Sequence, residues 1–343
     1  MSATDTTTRS SAAAEPGAKG MIGTFTSRYA SVLPTFAAIT ILIALLVGAE
    51  IYFGNFLTGR NMSALLLDNA YLMVLAVGMT FVIVTAGIDL SVGSVMAFTG
   101  IFGASLFASG VPFVIVIPVM LLSGVAIGLL IGVLVQYFNV QPFIASLAGL
   151  FLGRGLAYVV SLQSIRVEDP VLSWLGSTRF TLGDFYIAPT GVIALLTVII
   201  GALVMHFTRF GRTVYAVGGS EQSARLMGLN VARTKVMVYV ISGLCGGLAG
   251  LVLTAYTGSG YPRNGIGTEL DVIAVVVIGG TLLSGGRGYV LGSMIGVFVF
   301  GTIKTIINFM GAEQSWTHII VGALLLLFIV VQRAIVARSD RSR

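Results

Sequence analysis

The 343-residue chain is poor in charged residues, cysteine and histidine. Only 9% of its residues are charged, whereas soluble domains carry roughly 25%, so a water-soluble globular fold is excluded. The single cysteine, Cys245, permits no intramolecular disulfide and no cysteine metal cluster. The two histidines, His206 and His318, lie too far apart in the chain to form a local metal site. The sequence therefore predicts neither a bound metal nor a cofactor.

Signatures of enzymes are missing as well. No G-x-x-x-x-G-K-[ST] phosphate loop occurs, so the chain is not expected to hydrolyse nucleotides itself. No G-x-S-x-G nucleophile elbow occurs, and the histidines lie at the borders of apolar runs, which leaves no Ser-His-Asp arrangement. The pI of 9.6 does not indicate a nucleic-acid partner, because the basic residues flank apolar runs instead of clustering with aromatics. We therefore predict a protein without its own catalytic site.

Apolar residues, in contrast, make up 56% of the chain. A helix of about 20 residues crosses a hydrocarbon core of ~30 Å. Ten apolar runs of this kind cover residues 32–53, 63–86, 92–109, 112–137, 143–162, 187–207, 233–256, 270–286, 288–309 and 317–333. The sequence therefore predicts an all-α, polytopic membrane protein with about ten transmembrane helices.

The placement of charge predicts the orientation of this membrane domain. Residues 1–31 are interpreted as a disordered cytoplasmic tail, 32–333 as the transmembrane domain and 334–343 as a basic cytoplasmic tail. Given ten crossings and a cytoplasmic N-terminus, six of the 19 Lys and Arg residues fall outside the cytoplasmic segments: Arg60, Arg154, Arg166, Arg179, Arg263 and Lys304. Because cytoplasmic loops carry an excess of Lys and Arg, this distribution predicts that both termini are cytoplasmic.

Two glycine-rich segments interrupt the pattern of long helices. Glycines bracket Asp89 in residues 85–94, and six glycines surround Arg287 in residues 278–293. Aligned at an offset of 199 residues, the segments pair Thr85 with Ser284, Gly87 with Gly286, Gly93 with Gly292 and Ser94 with Ser293. Paired glycine-interrupted segments in two halves of a helical membrane protein indicate a transport path.

The loop at residues 163–186, which this topology places outside, has mixed charge and carries Trp174 near its boundary. One interpretation is a docking surface for an external soluble partner. The other is a solvated connector with an interfacial tryptophan. Both stay open at this point.

The cytoplasmic loop at residues 206–235 contains the segment GGSEQSARLMGL, residues 218–229. Ser220 is a candidate N-cap of a short helix, and Gly228 is expected to end that helix. A short helix between two spans, with basic residues before and after it, fits a groove of another protein. The alternative is a helix that lies on the membrane surface.

Three blocks of the sequence resemble a known family. The blocks GMTFVIVTAGIDLSVGSVMAFTG, YAVGGSEQSARLMGL and ELDVIAVVVIGGTLLSGGRGYVLGS are similar to those of the permease subunits of ribose-type ABC sugar importers. The resemblance runs from about residue 35 to residue 332. Within the family the chain looks most like the galactofuranose permeases, through DNAYLMVLAVGMTFVI, RFGRTVYAVGG and SGYPRNGIGTELDVIAVVVIGGTLLSGG. One departure is Ser220, where the family usually has Asn.

The resemblance implies a non-enzymatic permease subunit in the plasma (inner) membrane that moves a monosaccharide, either galactofuranose or a ribose-like sugar. It implies a cytoplasmic ABC ATPase as the energy source, an external sugar-binding protein that is periplasmic or lipid-anchored, and a second permease subunit that is a copy or a relative. The sugar and membrane lipid are the remaining predicted partners. The residues that resemble the family's ATPase-coupling loop are Gly218, Gly219, Ser220, Ala224, Arg225, Leu226, Met227 and Gly228.

Five charged residues are candidates for the substrate path or gate, because ionisable groups within membrane segments are commonly functional. They are Asp89, Arg154, Glu269, Asp271 and Arg287. An Arg at a helix centre costs about 2.5 to 3.5 kcal/mol on insertion scales, so Arg154 should face a wet cavity or a carboxylate.

Each of these residues also has a purely structural interpretation. Asp89 would cap the third span, and Arg154 would form a salt bridge. Glu269 and Asp271 would interact with a helix dipole, and Arg287 would anchor a cytoplasmic turn. The residue types alone do not decide between these roles.

Two other functions stay as alternatives. A self-contained secondary sugar transporter would need its own coupling-ion site, and the apolar runs hold few carboxylates. A membrane channel is disfavoured because no charged ring repeats along the sequence, and a membrane scaffold would not need the glycine-broken segments.

Overall fold

The computed structural model describes residues 33–313 and 315–340, with side chains over 35–313 and 315–330. The predicted N-terminal tail at residues 1–31 lies outside the described residues, as do residues 341–343 of the predicted C-terminal tail. The last helix continues to Asp340, beyond the span end expected at residue 333. Within these limits the chain folds into fourteen helices and four short strands.

The helices of the first half are α1 (Leu33–Phe53), α2 (Gly59–Asp68), α3 (Ala70–Val84), α4 (Val92–Ala108), α5 (Phe113–Tyr137), α6 (Pro142–Val160) and α7 (Pro170–Ser177). Those of the second half are α8 (Pro189–Phe207), α9 (Arg209–Gly219), α10 (Glu221–Leu226), α11 (Val231–Thr257), α12 (Thr268–Ile278), α13 (Val290–Phe309) and α14 (Ser315–Asp340). The strands are β1 (Ile165–Arg166), β2 (Phe180–Leu182), β3 (Phe185–Ile187) and β4 (Ser259–Gly260).

Six helices in the described part of the chain are long and apolar enough to cross a membrane, namely α1, α5, α6, α8, α11 and α13. Helices α2 and α3 form a further candidate span that is bent by 51° at its break, and α4 and α14 contribute shorter apolar helices. The predicted class, a polytopic helical membrane protein, is therefore confirmed. The number of ten crossings stays a prediction.

Two of the predicted spans are wrong in their boundaries. The run at 270–286 is helical only to Ile278, because the helix ends at Gly279 and Gly280 adopts a φ of +99°. With 11 residues, α12 is about 16 Å long, roughly half of the hydrocarbon thickness. The run at 63–86 instead begins at Gly59 and breaks at Asn69.

The centre of the fold is α11, which packs against α3, α4 and α5. Glycines allow the backbones of α5 and α11 to approach: a Cβ at Gly124 would lie 3.1 Å from the Cα of Gly247, and one at Gly128 would lie 3.1 Å from that of Gly243. Small residues of this kind are enriched where membrane helices pack closely. Nearly every residue of α3 is buried, as expected of a helix that is apolar on all sides.

The loops form two groups at the two ends of α11. At its C-terminal end β1 pairs antiparallel with β4, with Ile165 opposite Gly260, and the backbone N–H of Tyr186 donates to Ser63 Oγ at 2.7 Å. At its N-terminal end lie α10 and the turns that follow α3 and α12. The number of crossings and the orientation in the membrane both stay predictions.

Candidate transport and coupling site

Helix α10 has the two ends that the sequence predicts. Ser220 is its N-cap, and Ser220 Oγ accepts a hydrogen bond from the backbone N–H of Ser223 at 3.2 Å. Gly228, with a φ of +73°, lies in the left-handed region just after the last turn. Both predicted caps are confirmed, because the signals that produce them are local.

The apolar side chains of α10 and of the residue that follows it point in two directions. Ala224 is buried and packs with Val217 and Val231. Leu226 is 84% exposed and Met227 is 65% exposed. Two large apolar side chains exposed side by side at the end of a short helix fit either a groove of another protein or the membrane surface.

Glu221 fixes α10 to the start of α11, a role that the sequence analysis did not assign. Arg225 Nη2 donates to Glu221 Oε1 at 2.7 Å, and Lys235 Nζ donates to Glu221 Oε2. Partial burial acts to raise the pKa of Glu221, but the hydrogen bonds and positive charges of Lys235 and Arg225 outweigh it and hold that pKa below its ordinary value. The Glu–Arg spacing of four residues was the sequence signal for part of this arrangement.

The two glycine-broken segments lie side by side in the structure. The backbone N–H of Gly286 donates to the carbonyl oxygen of Val84 at 2.8 Å. Nearby, the buried hydroxyl oxygens of Thr80 and Ser293 are 2.7 Å apart, which links α3 to α13. The weak internal repeat in the sequence therefore corresponds to two turns that are in direct contact.

Asp89 connects the first of these turns to the central helix. Its Oδ1 accepts hydrogen bonds from the backbone N–H of Ser91 at 2.9 Å and from Ser91 Oγ at 2.6 Å. Its Oδ2 accepts from Ser242 Oγ of α11 at 2.7 Å. Ser91, not Asp89, occupies the N-cap position of α4, so the predicted capping role is wrong by two residues. Among the described side chains no arginine or lysine pairs with Asp89.

Arg154 lies in α6 and binds backbone rather than a carboxylate. Its Nη1 donates to the carbonyl oxygens of Pro262 at 2.6 Å and Asn264 at 2.8 Å. Over residues 35–313 and 315–330 it forms no ion pair, so the salt-bridge interpretation finds no support. The guanidinium instead holds the loop that leads into α12.

Glu269 and Asp271 lie in the first turn of α12, as the helix-dipole interpretation requires. Glu269 also faces α4: a Cβ at Gly93 would lie 2.6 Å from Glu269 Oε2. That oxygen is buried and has no hydrogen-bond partner among the described residues. Arg154 and Glu269 therefore flank the same loop, at residues 261–267.

Arg287 lies in the turn after α12, so the whole length of α12 separates it from this loop, and its side chain is exposed. Asp89 belongs to the other turn. The five predicted path or gate residues thus do not form one cluster. Two of them lie in the glycine-broken turns, and the other three lie at or beside the N-terminal end of α12.

Tyr215 is a functional candidate that the sequence analysis missed. It lies on α9, and its Oη donates to the carbonyl oxygen of Gly288 at 2.6 Å. Burial raises the pKa of Tyr215 well above its usual value, so the phenol stays protonated and donates. The partner residue is 73 positions away in the chain, and no local pattern could have predicted the pair.

A family model described as the permease component of the branched-chain amino acid transport system matches residues 61–329, so the chain belongs to this family of ABC permeases. Three individual relatives of the chain indicate which kind of ABC permease it is. The chain is 41% identical to the fructose import permease protein FruG of Bifidobacterium longum, over 89% of this chain and 92% of the relative.

Two proteins of Escherichia coli K12 are similar to the chain as well. The inner membrane ABC transporter permease protein YjfF is 45% identical over 82% of this chain and 86% of its own length. The ribose import permease protein RbsC is 38% identical over 81% of this chain and 87% of its own length. The chain is a multi-pass plasma-membrane protein and a permease component of a sugar ABC importer, of the type that includes the ribose, galactofuranose and fructose systems.

Proposed function

We propose that this chain, together with a second permease subunit that is a copy or a relative, forms the membrane passage for a monosaccharide, galactofuranose or a ribose-like sugar, and that a separate cytoplasmic ATPase docked on α10 drives the transport. The observation that carries the proposal is the pair Leu226 and Met227, which a short helix with both ends capped presents to solvent. The chain itself carries no nucleotide-binding loop, so ATP hydrolysis would have to come from a partner subunit.

The anchoring of α10 fits this role. A docking helix can pass force to the membrane domain only if it is held rigidly at its base. Glu221 holds α10 to α11 through Lys235, and the buried Ala224 packs α10 against Val217. The exposed side of the helix then remains free for the ATPase.

We place the sugar path beside the loop that precedes α12. Arg154 donates two hydrogen bonds from one nitrogen, and a guanidinium has five N–H donors in total. Glu269 has a buried acceptor oxygen with no partner within the described residues. Donors and acceptors of this kind pair with the hydroxyl groups of a sugar.

The segment at residues 163–187 is our candidate surface for the external sugar-binding protein. It carries the exposed side chains of Trp174, Phe180 and Leu182. The pairing of β1 with β4 attaches this segment to the loop that precedes α12. A binding protein docked there would deliver the sugar beside Arg154.

Co-purification tests the docking of the ATPase. The chain would be expressed with the ATPase encoded in its neighbouring reading frames, as wild type, as the double variant Leu226→Asp/Met227→Asp, and as Leu182→Asp. Leu182 is 83% exposed and lies at the other end of the molecule, so its variant is a matched control. We expect the double variant to lose the ATPase, because a charge cannot enter an apolar groove. An ATPase retained by the double variant as well as by the control would reject the proposed docking site.

Uptake into proteoliposomes tests the path and the energy source. The chain would be reconstituted with any second permease subunit encoded in its neighbouring reading frames, and D-fructose, D-ribose and D-galactose would be supplied in turn, with and without the ATPase, the binding protein and ATP. We expect uptake only with all three components, and Arg154→Leu should reduce it by about tenfold or more while the protein still inserts. Uphill uptake by the permease alone would favour a secondary transporter. Wild-type uptake by a stably inserted Arg154→Leu protein would exclude Arg154 from the path.

A further inference from the structure

The two glycines at the end of α9 lie where the coupling loop meets both glycine-broken turns. We propose that Gly218 is the point at which a movement of α10 is passed to both turns at once, and that Tyr215 is a second positioning residue that ties α9 to the turn after α12. This inference rests on the proposed docking of an ATPase on α10.

The position of Gly218 is set by the hydrogen bond that joins the two turns. A Cβ added at Gly218 would overlap the carbonyl oxygen of Val84 and would lie 2.6 Å from the backbone nitrogen of Gly286. These are the acceptor and the donor of the same 2.8 Å hydrogen bond. Gly218 therefore packs directly onto a backbone hydrogen bond that joins the two turns.

The contacts are reciprocal. A Cβ at Gly285 would lie 3.0 Å from the carbonyl oxygen of Gly218 and 2.8 Å from the nitrogen of Ala86. A Cβ at Gly286 would lie 3.1 Å from the Cα of Gly219. Three chain segments thus meet backbone to backbone. A side chain could absorb a small shift by rotating, whereas closely packed backbone transmits it.

Tyr215 adds a second attachment one helical turn earlier on α9. Its hydroxyl donates to the carbonyl oxygen of Gly288, two residues beyond Gly286. The His206 ring packs beside Tyr215 with a centroid distance of 6.1 Å and beside Tyr289 at 5.4 Å. Helix α9 therefore contacts the turn after α12 at two points. Both contacts would move when α10 moves.

The chain supplies its own matched control. A Cβ at Gly48, which lies in α1 and outside the coupling region, would meet nothing within 4 Å. Alanine replaces a helical glycine at both positions and raises helix propensity in each case. The variants Gly218→Ala and Gly48→Ala therefore differ chiefly in whether a methyl group is forced into the junction.

The test uses the permease reconstituted with any second permease subunit encoded beside it, with its ATPase and with its binding protein, and whichever of D-fructose, D-ribose and D-galactose the wild type transports. ATP hydrolysis and sugar uptake are measured together, so that the number of sugars moved per ATP is obtained. We expect Gly218→Ala to retain the ATPase and hydrolyse ATP at a rate within about twofold of wild type, while the sugar moved per ATP falls about tenfold. Gly48→Ala should keep the wild-type ratio.

The variant Tyr215→Phe removes only the hydroxyl that binds Gly288. We expect it to lower the sugar moved per ATP by about threefold with an unchanged KM for the sugar, a split that general destabilisation would not produce. If Gly218→Ala is not recovered as a folded protein, Tyr215→Phe carries the test alone.

Equal ratios for Gly218→Ala and Gly48→Ala, or an unchanged ratio for Tyr215→Phe when Gly218→Ala does not fold, would overturn the inference while leaving the proposed function intact. A wild-type complex that hydrolyses ATP but moves none of the three sugars, or a chain that binds no ATPase, would instead reject the proposed function. The two failures are therefore distinguishable in the same experiment.

Discussion

The turn at residues 85–91 and the turn at residues 279–289 follow corresponding short helices, yet they are held in different ways. The first is buried except for Ala86 and Ile88, and the carboxylate of Asp89 ties it to Ser242 of α11. The second has an exposed tip that includes Arg287. Its partners, the carbonyl oxygen of Val84 and the hydroxyl of Tyr215, are neutral.

This difference indicates that the first turn is held more firmly than the second. Hydrogen bonds to a charged group contribute about 1.5–3 kcal/mol, whereas neutral ones contribute about 0.5–1.5 kcal/mol. The first turn is attached to the centre of the fold, and the second is attached mainly to the coupling region. Similar glycine patterns therefore break two helices, but side chains from other helices decide how firmly each turn is held.

The largest expected effect comes from removing the anchor of the first turn. Asp89→Ala leaves the backbone N–H of Ser91 and the hydroxyl of Ser242 without their acceptor in a buried site, which should lower stability by about 3 kcal/mol or more. The fraction of protein that stays monodisperse in detergent after heating measures it. Arg287→Ala, in the exposed second turn, is the control and should change little. Equal losses for the two variants would refute the contrast between the turns.

A smaller effect is expected where the second turn meets α9. Gly286 has a φ of +76°, a conformation that costs an L-residue about 1–2 kcal/mol, and its added Cβ would also press on Gly219. Gly183 has a φ of +63° but nothing within 4 Å of an added Cβ, so Gly183→Ala measures the backbone strain alone. Gly286→Ala should therefore lower the melting temperature in detergent more than Gly183→Ala does. The same shift for both would mean that the turn is not packed on α9.

The contact between α3 and α13, the helices that flank the two turns, should contribute still less to stability. Thr80→Val and Ser293→Ala each remove one partner of the buried hydroxyl pair that joins α3 to α13. A double-mutant cycle should give an interaction energy of about 1 kcal/mol, as for other neutral hydrogen bonds. Strictly additive losses of stability would show that the pair does not hold the two halves together.

The smallest effect at neutral pH concerns Glu221, which holds the coupling helix that acts on the second turn. Its pKa is lowered in the folded protein, so its contribution is present above the ordinary glutamate value of about 4.3 and is lost as the pH falls through the lowered pKa. Hydrogen exchange of the α10 amides, corrected for intrinsic rates, should therefore rise in the wild type at acid pH. Glu221→Gln should exchange faster than wild type at pH 7, and the two should converge in acid. If the difference in exchange rate between wild type and Glu221→Gln stayed constant down to pH 3, the ion pair of Glu221 would be excluded as its cause.

The sequence by itself determined the features that depend on composition and on neighbouring residues. A low charge content and long apolar runs leave a helical membrane protein as the physical solution, because backbone groups in lipid have to be satisfied within the segment. The ends of α10 were predictable as well, since a serine cap and a left-handed glycine act over three or four residues. The positions of the glycine-broken segments were visible for the same reason.

Only the tertiary structure decided how these elements are connected. Asp89 binds Ser242 at a sequence separation of 153 residues. Arg154 donates to the carbonyl oxygen of Pro262 at a separation of 108, and Tyr215 donates to that of Gly288 at a separation of 73. Such pairs depend on how helices pack, and packing depends on the shapes of many side chains at once. The length of α12 was also decided by the tertiary structure. The apolar run in the sequence continues past Ile278, whereas the backbone turns at Gly279 and Gly280 to meet the coupling region.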